Sequence, residues 1–488
     1  MGLAERVAIN ATAQLIGQFL LAAGGLAAVA ATTRYLSLKE YGALVTALIF
    51  VSLFVAVTDS GMTTTGGREL ARAPERAEAI VSSTGLTVTA ISFAAAAVAV
   101  AVSQIVYSGA GSADIRKAIL ILIPQLFLMG PRCAAQASLL ARQKMYLVST
   151  AGVVTRIVTL GLVVLVAQAD LGFAAMAAAY AAFPILGAIL TVLLAGVGLP
   201  RIRGWNGALA WRLLKAAIPL GGVLVVNFLY FRLDLFLLGF LATKDDVALY
   251  GVAYKLVEVL ILIPSYVMFT LVPAIATAER FSDRLNSLVQ NAFSAMQLVA
   301  VPLIALSFFS KSIIGFIAGS SYESAGVALQ ILVLSLAASY LQQVFSFSLV
   351  AQDRQLLALF VLVGVLAVNL GLNLVLIPLF KVNGAATAVL ISELVSLVAM
   401  GFAFSRVGSV PSLYKPVRVS LAGAAMVGLV LGTRNTLGPL LNSPMATLAA
   451  GGALGLAAYV LVLKQLDAVP PVASAMISSL MRRRPRNA

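Results

Sequence analysis

Seven ionisable side chains stand inside long apolar runs of this sequence, where a charge is costly. They are Arg132, Arg156, Arg232, Asp234, Lys255, Glu258 and Glu393. On insertion scales, a charge at the centre of a membrane helix costs about 2.5–3.5 kcal/mol. Such side chains therefore face a partner, the interior of a helix bundle or a hydrated cavity. Taken together, four cations and three anions in these positions indicate a polar cavity.

The spacing of these residues separates their roles. Lys255 and Glu258 are three residues apart, on one helix face, and are expected to pair directly. Arg232 and Asp234, within NFLYFRLDLFLLG, are two apart and point in divergent directions, so at least one should meet another helix or a ligand. Asn227 shares a face with Asp234, which predicts a polar stripe on this helix.

A structural role is the alternative for each of these residues, because buried ion pairs can fix helix packing without contacting a ligand. Glu393, within LISEL, is the leading candidate for a structural acid. Lys255 lies in the outer half of its span and can extend towards the interface. Asp59, within TDSGM, is interpreted as a turn or capping residue.

The composition is that of a membrane protein with many spans. The 488 residues are 61% hydrophobic and 10% charged, with a mean hydropathy of +1.03. Repeated apolar runs of about 20 residues match the length that a helix needs to cross a bilayer. The sequence therefore predicts an all-α polytopic membrane protein.

Several kinds of site are excluded by residue usage. The absence of histidine removes imidazole ligands and Ser-His-Asp triads. A single cysteine, Cys133, allows no disulfide framework and no cysteine-based zinc site. No Gly-Lys dipeptide occurs, so there is no phosphate-binding loop of an ATPase. We expect no cofactor, no metal ion and no enzymatic activity. The net charge of +15 is assigned to basic residues that flank the spans rather than to nucleic-acid binding.

Fourteen transmembrane helices are predicted from apolar windows bounded by charges, glycine and proline. They lie near residues 7–31, 41–60, 79–106, 115–139, 145–167, 171–198, 216–241, 247–275, 286–309, 324–350, 356–379, 383–404, 417–433 and 445–463. The first resembles a signal peptide but carries Asn10, Gln14 and Gln18 at four-residue spacing. A cleaved signal has no use for such a polar stripe, so we expect a retained helix whose stripe lines the cavity.

The distribution of basic residues predicts the orientation. With a cytoplasmic N-terminus, the inside segments hold 21 Lys and Arg residues and the outside segments hold 8, which places both termini in the cytoplasm. The expected location is the bacterial cytoplasmic membrane. The basic tail, residues 466–488, is expected to lie at the interface, held by anionic lipid headgroups.

The two halves of the chain show a weak internal repeat. YGAL (41–44) matches YGVA (250–253), ARQK (141–144) matches AQDR (351–354), and GFAAMA (172–177) matches GAATAV (384–389), all in the same order. The repeat predicts a six-helix lobe in residues 1–200, a second in 201–410, and two further helices in 411–465. Two such lobes are typical of an alternating-access carrier with its site between them.

Three segments resemble the polysaccharide-export flippases, the Wzx-type branch of the multidrug/oligosaccharidyl-lipid/polysaccharide exporter superfamily. They are RYLSLKEYGALVTALIF (34–50) with TDSGM and GGREL, the run from RLDLFLLGFL to LVPAIA (232–276), and AQDRQ to NLGLNLVLIPLFKVNGAATAVLISE (351–393). The resemblance implies a V-shaped, pseudo-twofold pair of six-helix lobes around a cationic cavity. It also implies translocation of polyprenyl-pyrophosphate-linked oligosaccharides from the inner to the outer leaflet, without ATP hydrolysis.

Roles for the intramembrane charges follow from this resemblance. The four cations, Arg132, Arg156, Arg232 and Lys255, would bind the pyrophosphate and nearby sugars. Asp234, Glu258 and Glu393 would position these cations or take part in proton or sodium coupling. A polysaccharide polymerase and chain-length or export proteins are the expected partners. The lipid II flippases, a sister group, carry arginines in their first two helices, whereas here the first helix has Asn10, Gln14 and Gln18, which favours a surface-polysaccharide repeat unit as substrate.

Two other functions stay open at this point. A multidrug or cation antiporter of the same superfamily would use Asp234, Glu258 or Glu393 as its protonation site, although four intramembrane cations disfavour a cationic drug. A membrane glycosyltransferase or polysaccharide polymerase would need acids or a domain on the outer face. There the segments are short and Glu323 is an isolated acid.

Overall fold

The structure is a computed structural model, and it describes residues 3–412, 414–436 and 444–466. Within these ranges the chain forms α-helices, short 3₁₀ turns and connecting loops, with no β-strand. The predicted all-α class is confirmed. The helices fall into two compact units, Met1–Gly251 and Val252–Ala488.

The first unit contains ten helices and the start of an eleventh. These are α1 (Leu3–Tyr35), α2 (Leu38–Asp59), α3 (Met62–Arg72), α4 (Ala77–Val106), α5 (Ala113–Leu122), α6 (Pro124–Phe127), α7 (Met129–Ala141), α8 (Tyr146–Gln168), α9 (Gly172–Ala195), α10 (Gly207–Leu241) and α11 (Lys244–Leu260). The second unit takes the rest of α11 with α12 (Leu262–Ala276), α13 (Asp283–Ser307), α14 (Ser310–Ala318), α15 (Gly326–Ala351), α16 (Gln355–Phe404), α17 (Tyr414–Thr436) and α18 (Pro444–Gln465).

The number of spans is consistent with the predicted fourteen. Among the described residues, ten helical segments are long and apolar enough to cross a membrane, and α5–α6 together with α7 pass the same test as a pair bent by 45°. One of the ten, α16, is two helical arms that meet at Lys381, whose φ of 51° breaks the helix. The remaining candidates are α1, with 33 residues, and α17, whose apolar part is short. The chain is therefore a multi-pass membrane protein.

The TDSGM segment ends one helix and starts the next. Ser37 and Glu40 form a capping box that begins α2. At the other end Ser60 and Gly61 have φ values of 40° and 78°, in the left-handed region that glycine adopts without strain. The chain turns there into α3, so the end of α2 and the start of α3 share one corner.

The division of the compact units differs from the boundary predicted at residue 200. The first unit extends to Gly251 because α10 packs against α2, α3 and α4. The two six-helix lobes of the repeat stay a prediction. Most of the basic tail, residues 467–488, lies outside the described part of the chain.

Candidate functional site

A cavity of about 390 Å³ lies in the first unit, among α2, α7 and α10. Its volume is within the range of small-molecule binding sites in proteins. Apart from small apolar groups, its walls carry three charged residues, two amides and two phenyl rings: Asp59, Arg132, Arg232, Gln136, Asn227, Phe228 and Phe231. Three of the predicted site residues, Arg132, Arg232 and Asn227, therefore line one cavity.

The wall from α7 begins at a bend. The 45° break before α7 places Arg132 in its first turn, with Gln136 four residues later on the same face. The positive end of the helix dipole lies in this first turn and adds to the charge of the arginine. Gly130 allows the bend to pack here, because a Cβ atom on it would collide with the carbonyl oxygen of Gly85 on α4.

The wall from α10 is one face of that helix. Asn227, Phe228, Phe231 and Arg232 follow the spacing of neighbouring turns and all line the cavity. Asp234 points elsewhere, is 3% exposed, and accepts a hydrogen bond from the hydroxyl of Tyr250. The divergence expected for Arg232 and Asp234 is thus present. Asn227 shares its site with Arg232 and not with Asp234.

The wall from α2 ends in Asp59. Its Oδ1 accepts hydrogen bonds from the Thr63 amide at 3.2 Å and the Thr63 hydroxyl at 2.8 Å, so the carboxylate caps α3 as the sequence predicted. The thiol of Cys133 lies 3.6 Å from the same oxygen. The sequence analysis did not place Asp59 or Gln136 in the cavity. For Asp59, the Ser-Gly pair that follows it marks a turn but does not show which helix the turn faces.

A buried apolar cluster holds these helices beside the cavity. It consists of Met62, Val88, Met129, Cys133, Leu213 and Ala217, which come from α3, α4, α7 and α10. Met129 and Cys133 belong to both the cluster and the cavity wall. Their helix is therefore fixed by apolar packing on one side while Arg132 and Gln136 face the cavity.

The arrangement is suited to an anionic ligand with hydroxyl groups. Two guanidinium groups and one carboxylate leave a single excess positive charge in the cavity wall, and the Thr63 hydroxyl already donates a hydrogen bond to that carboxylate. Arginine binds phosphate oxygens through paired donors, amides exchange hydrogen bonds with hydroxyls, and phenyl rings cover the apolar face of a sugar. Among the described residues, no group of three or more Cys, Asp or Glu side chains could hold a metal ion.

Arg156 does not line this cavity. Its guanidinium lies 3.8 Å from the centroid of the Phe183 ring, a cation–π contact between α8 and α9. Gly24 of α1 lies against its stem, because a Cβ atom on Gly24 would be 2.6 Å from the Arg156 Cγ. Gln18, also on α1, is exposed, and the side chains of Asn10 and Gln14 lie outside the described part of the structure.

The predicted residues of the second unit are found at two places. Lys255 and Glu258 form an ion pair of 2.9 Å, with side chains 28% and 34% exposed. Glu393 is buried in the second arm of α16. On the same helix, the Asn369 amide donates to the Ser392 hydroxyl at 3.1 Å, and Asn373 donates to the Asn369 side chain at 3.0 Å. Sequence reasoning did not single out these three polar residues.

Comparison with solved structures identifies the fold. The structure of the lipid II flippase MurJ in an inward closed conformation matches with a TM-score of 0.75, 14% identity, and coverage of 94% of this chain and 99% of that chain. An inward-facing multidrug resistance MATE family transporter of the MOP superfamily matches with a TM-score of 0.67, also at 14% identity, over 81% of this chain and 98% of that one. At this identity the likeness establishes the fold alone.

Two relatives from Haloferax volcanii match part of the chain. The probable low-salt glycan biosynthesis flippase Agl15 is 24% identical over 216 residues, covering 43% of this chain and 46% of the relative. The probable flippase AglR is 32% identical over 171 residues, covering 33% and 35%. The chain thus spans less than half the length of either relative.

A family model described as polysaccharide biosynthesis protein matches residues 31–327. The matched segment runs from the end of α1 to the start of α15 and includes all three walls of the cavity. Because the match extends over more than half of its length, the chain belongs to the polysaccharide biosynthesis protein family.

Proposed function

We propose that this chain is a flippase of the multidrug/oligosaccharidyl-lipid/polysaccharide exporter superfamily. Its substrate is a polyprenyl-pyrophosphate-linked oligosaccharide, carried by alternating access from the inner to the outer leaflet. The observation that carries the proposal is the cavity that both Arg132 of α7 and Arg232 of α10 line. Fold likeness to a lipid II flippase and sequence likeness to two probable glycan flippases support it.

The chemistry of the cavity matches the head of such a substrate. A diphosphate cannot cross hydrocarbon unaided, because an ion loses many kcal/mol of hydration there. Arg132 and Arg232 replace part of that hydration with charge-assisted hydrogen bonds. Asn227 and Gln136 are placed to exchange hydrogen bonds with sugar hydroxyls, and Phe228 and Phe231 supply apolar contact.

The size of the cavity sets which part of the substrate it accepts. A cavity of about 390 Å³ can hold a diphosphate with its first sugar, but it is too small to hold a long polyprenyl chain in addition. The tail can remain in the lipid throughout, since it is apolar. The protein therefore moves the head without transforming it, and we assign it no enzymatic activity.

The membrane placement follows from the basic residues of the sequence. We place the chain in a bacterial cytoplasmic membrane with both termini in the cytoplasm, because Lys and Arg residues concentrate on that side. Proton or sodium coupling and partnership with a polymerase and chain-length or export proteins stay predictions.

The test uses cells that lack this protein. Lipid-linked glycans are extracted and identified by mass spectrometry, and their leaflet is determined by accessibility to a membrane-impermeant reagent. We expect one repeat unit to accumulate on the cytoplasmic side and to be cleared when the full chain is restored. Absence of any lipid-linked intermediate, together with changed tolerance to cationic drugs, would instead favour the antiporter.

A further inference from the structure

Both tryptophans of the chain lie on one apolar groove. The groove, about 480 Å³, belongs to the first unit and runs between α4 and the first turns of α10. Trp205 and Trp211 are 50% and 57% exposed at its edge, and Leu86 and Ala90 are among the residues of its floor. This groove is separate from the cavity, since no residue lines both.

The segment that carries Trp205 is fixed to α4 by hydrogen bonds. The backbone amide of Arg201 donates to the Ser82 hydroxyl at 3.2 Å, and that of Asn206 donates to the Ser83 hydroxyl at 3.1 Å. Asn206 in turn caps α10, because its Oδ1 accepts the Leu209 amide at 2.9 Å. These hydrogen bonds fix the wall of the groove that carries Trp205 in place against α4.

Gly207 makes room for the Trp205 ring. A Cβ atom on Gly207 would be 3.2 Å from the far edge of that ring, closer than most real Cβ contacts. The indole consequently lies over the first turn of α10. Tryptophans with one apolar side and one exposed side are characteristic of the interface between lipid and water.

The rim of the groove has an excess of positive charge. Arg201, Arg203 and Lys215 are exposed, and the Lys215 ammonium lies 5.1 Å from the Trp211 ring centroid. Arg212 is already paired with Glu69 at 2.7 Å. Glu78, the acid of α4, lies beside Gly204, so the three exposed cations of this segment outnumber the one carboxylate that lies next to it.

We propose that this groove binds an anionic glycerophospholipid. One acyl chain lies along the apolar floor, and the phosphate faces Arg203 and Lys215. A zwitterionic lipid fills the same floor but adds a cation to a rim that is already positive. Charge complementarity therefore selects the anionic headgroup, with each basic residue near such a surface contributing about fivefold in association. A lipid bound in this groove contacts the first turns of α10. The same helix carries Asn227 and Arg232, so the lipid would stabilise the position of a helix that lines the cavity.

Tryptophan fluorescence tests this directly, since both tryptophans of the chain report from the groove. The full chain is reconstituted into vesicles in which either phosphatidylglycerol or phosphatidylcholine carries brominated acyl chains. Stronger quenching by brominated phosphatidylglycerol is expected, equivalent to a relative association constant at least about fivefold higher, the contribution of a single basic residue. The preference should decline towards one as NaCl is raised, because salt screens an exposed contact.

Matched triple variants assign the preference to the rim. Arg201→Gln, Arg203→Gln and Lys215→Gln together should bring the ratio near one, whereas Lys144→Gln, Arg354→Gln and Arg406→Gln, exposed cations elsewhere, should preserve it. Equal quenching by both lipids in the wild type, or a salt-insensitive preference, overturns the proposal. Relief of quenching by a polyprenyl phosphate at lower mole fraction than by unbrominated phosphatidylglycerol also overturns it, and assigns the groove to the tail of the transported lipid.

Discussion

Gly221 on α10 lies against Ser60 at the corner between α2 and α3. A Cβ atom on Gly221 would be 2.5 Å from the Ser60 carbonyl oxygen. On the other side, a Cβ atom on Gly61 would be 3.1 Å from the carbonyl oxygen of Ala217. This backbone contact joins the helix that ends in Asp59 to the helix that carries Arg232. It therefore sets the distance between two walls of the cavity.

Replacing Gly221 with alanine should separate these walls. The added methyl group meets rigid backbone, so we expect a loss of about 1–3 kcal/mol in the free energy of unfolding. Transport should fall by more than the stability loss explains. Gly222→Ala is the control, because nothing lies within 4 Å of its Cβ position and alanine favours a helix by up to about 1 kcal/mol. Thermal unfolding in detergent and export in complemented cells measure both effects; equal behaviour of the two variants would show that the contact is not needed.

Arg132→Ala and Arg232→Ala should each lower export at least tenfold while the protein remains inserted and folded. The reason is the loss of a charge-assisted hydrogen bond to the substrate, worth about 1.5–3 kcal/mol. Lysine at either position should restore part of the activity, because it keeps the charge but not the paired donors. Leaflet accessibility of the lipid-linked glycan is the measurement.

Arg212→Ala is the matched control for both arginines. It lies on the same helix as Arg232, but its side chain is 60% exposed and paired with Glu69 outside the cavity. We expect its export to equal that of the wild type. Normal export by Arg232→Ala would remove Arg232 from the substrate site.

Local spacing predicted several side-chain relationships correctly. The ion pair of Lys255 and Glu258 follows from a separation of three residues, and the divergence of Arg232 and Asp234 from a separation of two. The capping role of Asp59 follows from the turn residues after it. All three depend on a single helix or turn, which is why periodicity sufficed.

Tertiary packing decided what spacing could not. Nothing in the sequence around Arg132 indicates that it shares a cavity with Arg232 while Arg156 instead stacks on Phe183. The division of the compact units after Gly251 likewise depends on the packing of α10, since apolar windows give helix lengths but no neighbours. The break in α16 at Lys381 lies in the gap predicted between the spans 356–379 and 383–404. The sequence could predict it because the charge of Lys381 ends the apolar window on either side.

Tyr250 and Asp234 should be energetically coupled. Asp234 is 3% exposed, and its carboxylate accepts a hydrogen bond from the Tyr250 hydroxyl. Removing either partner therefore leaves a buried polar group without this bond. We expect Asp234→Ala and Tyr250→Phe each to cost about 1–3 kcal/mol in unfolding free energy. The double variant should cost less than the sum, with a coupling of about 0.5–3 kcal/mol. Asp234→Asn, which keeps an acceptor, should lose less than Asp234→Ala.

Tyr146→Phe is the control for the loss of a hydroxyl, since Tyr146 is 38% exposed. Additive costs in the cycle would show that the two residues are independent. If Asp234→Asn keeps its unfolding temperature but abolishes export, the charge of Asp234 takes part in coupling, which is one of the two roles that the family resemblance implies for it.

The ion pair of Lys255 and Glu258 allows a test that separates packing from substrate binding. Lys255→Met alone leaves Glu258 without the ammonium 2.9 Å away and should lower the amount of inserted protein. Lys255→Met with Glu258→Met removes both charges and should restore insertion. We expect export to return with it, because the structure already gives Lys255 an anionic partner. Full insertion with absent export, measured by membrane blotting and leaflet accessibility, would assign Lys255 to the substrate instead.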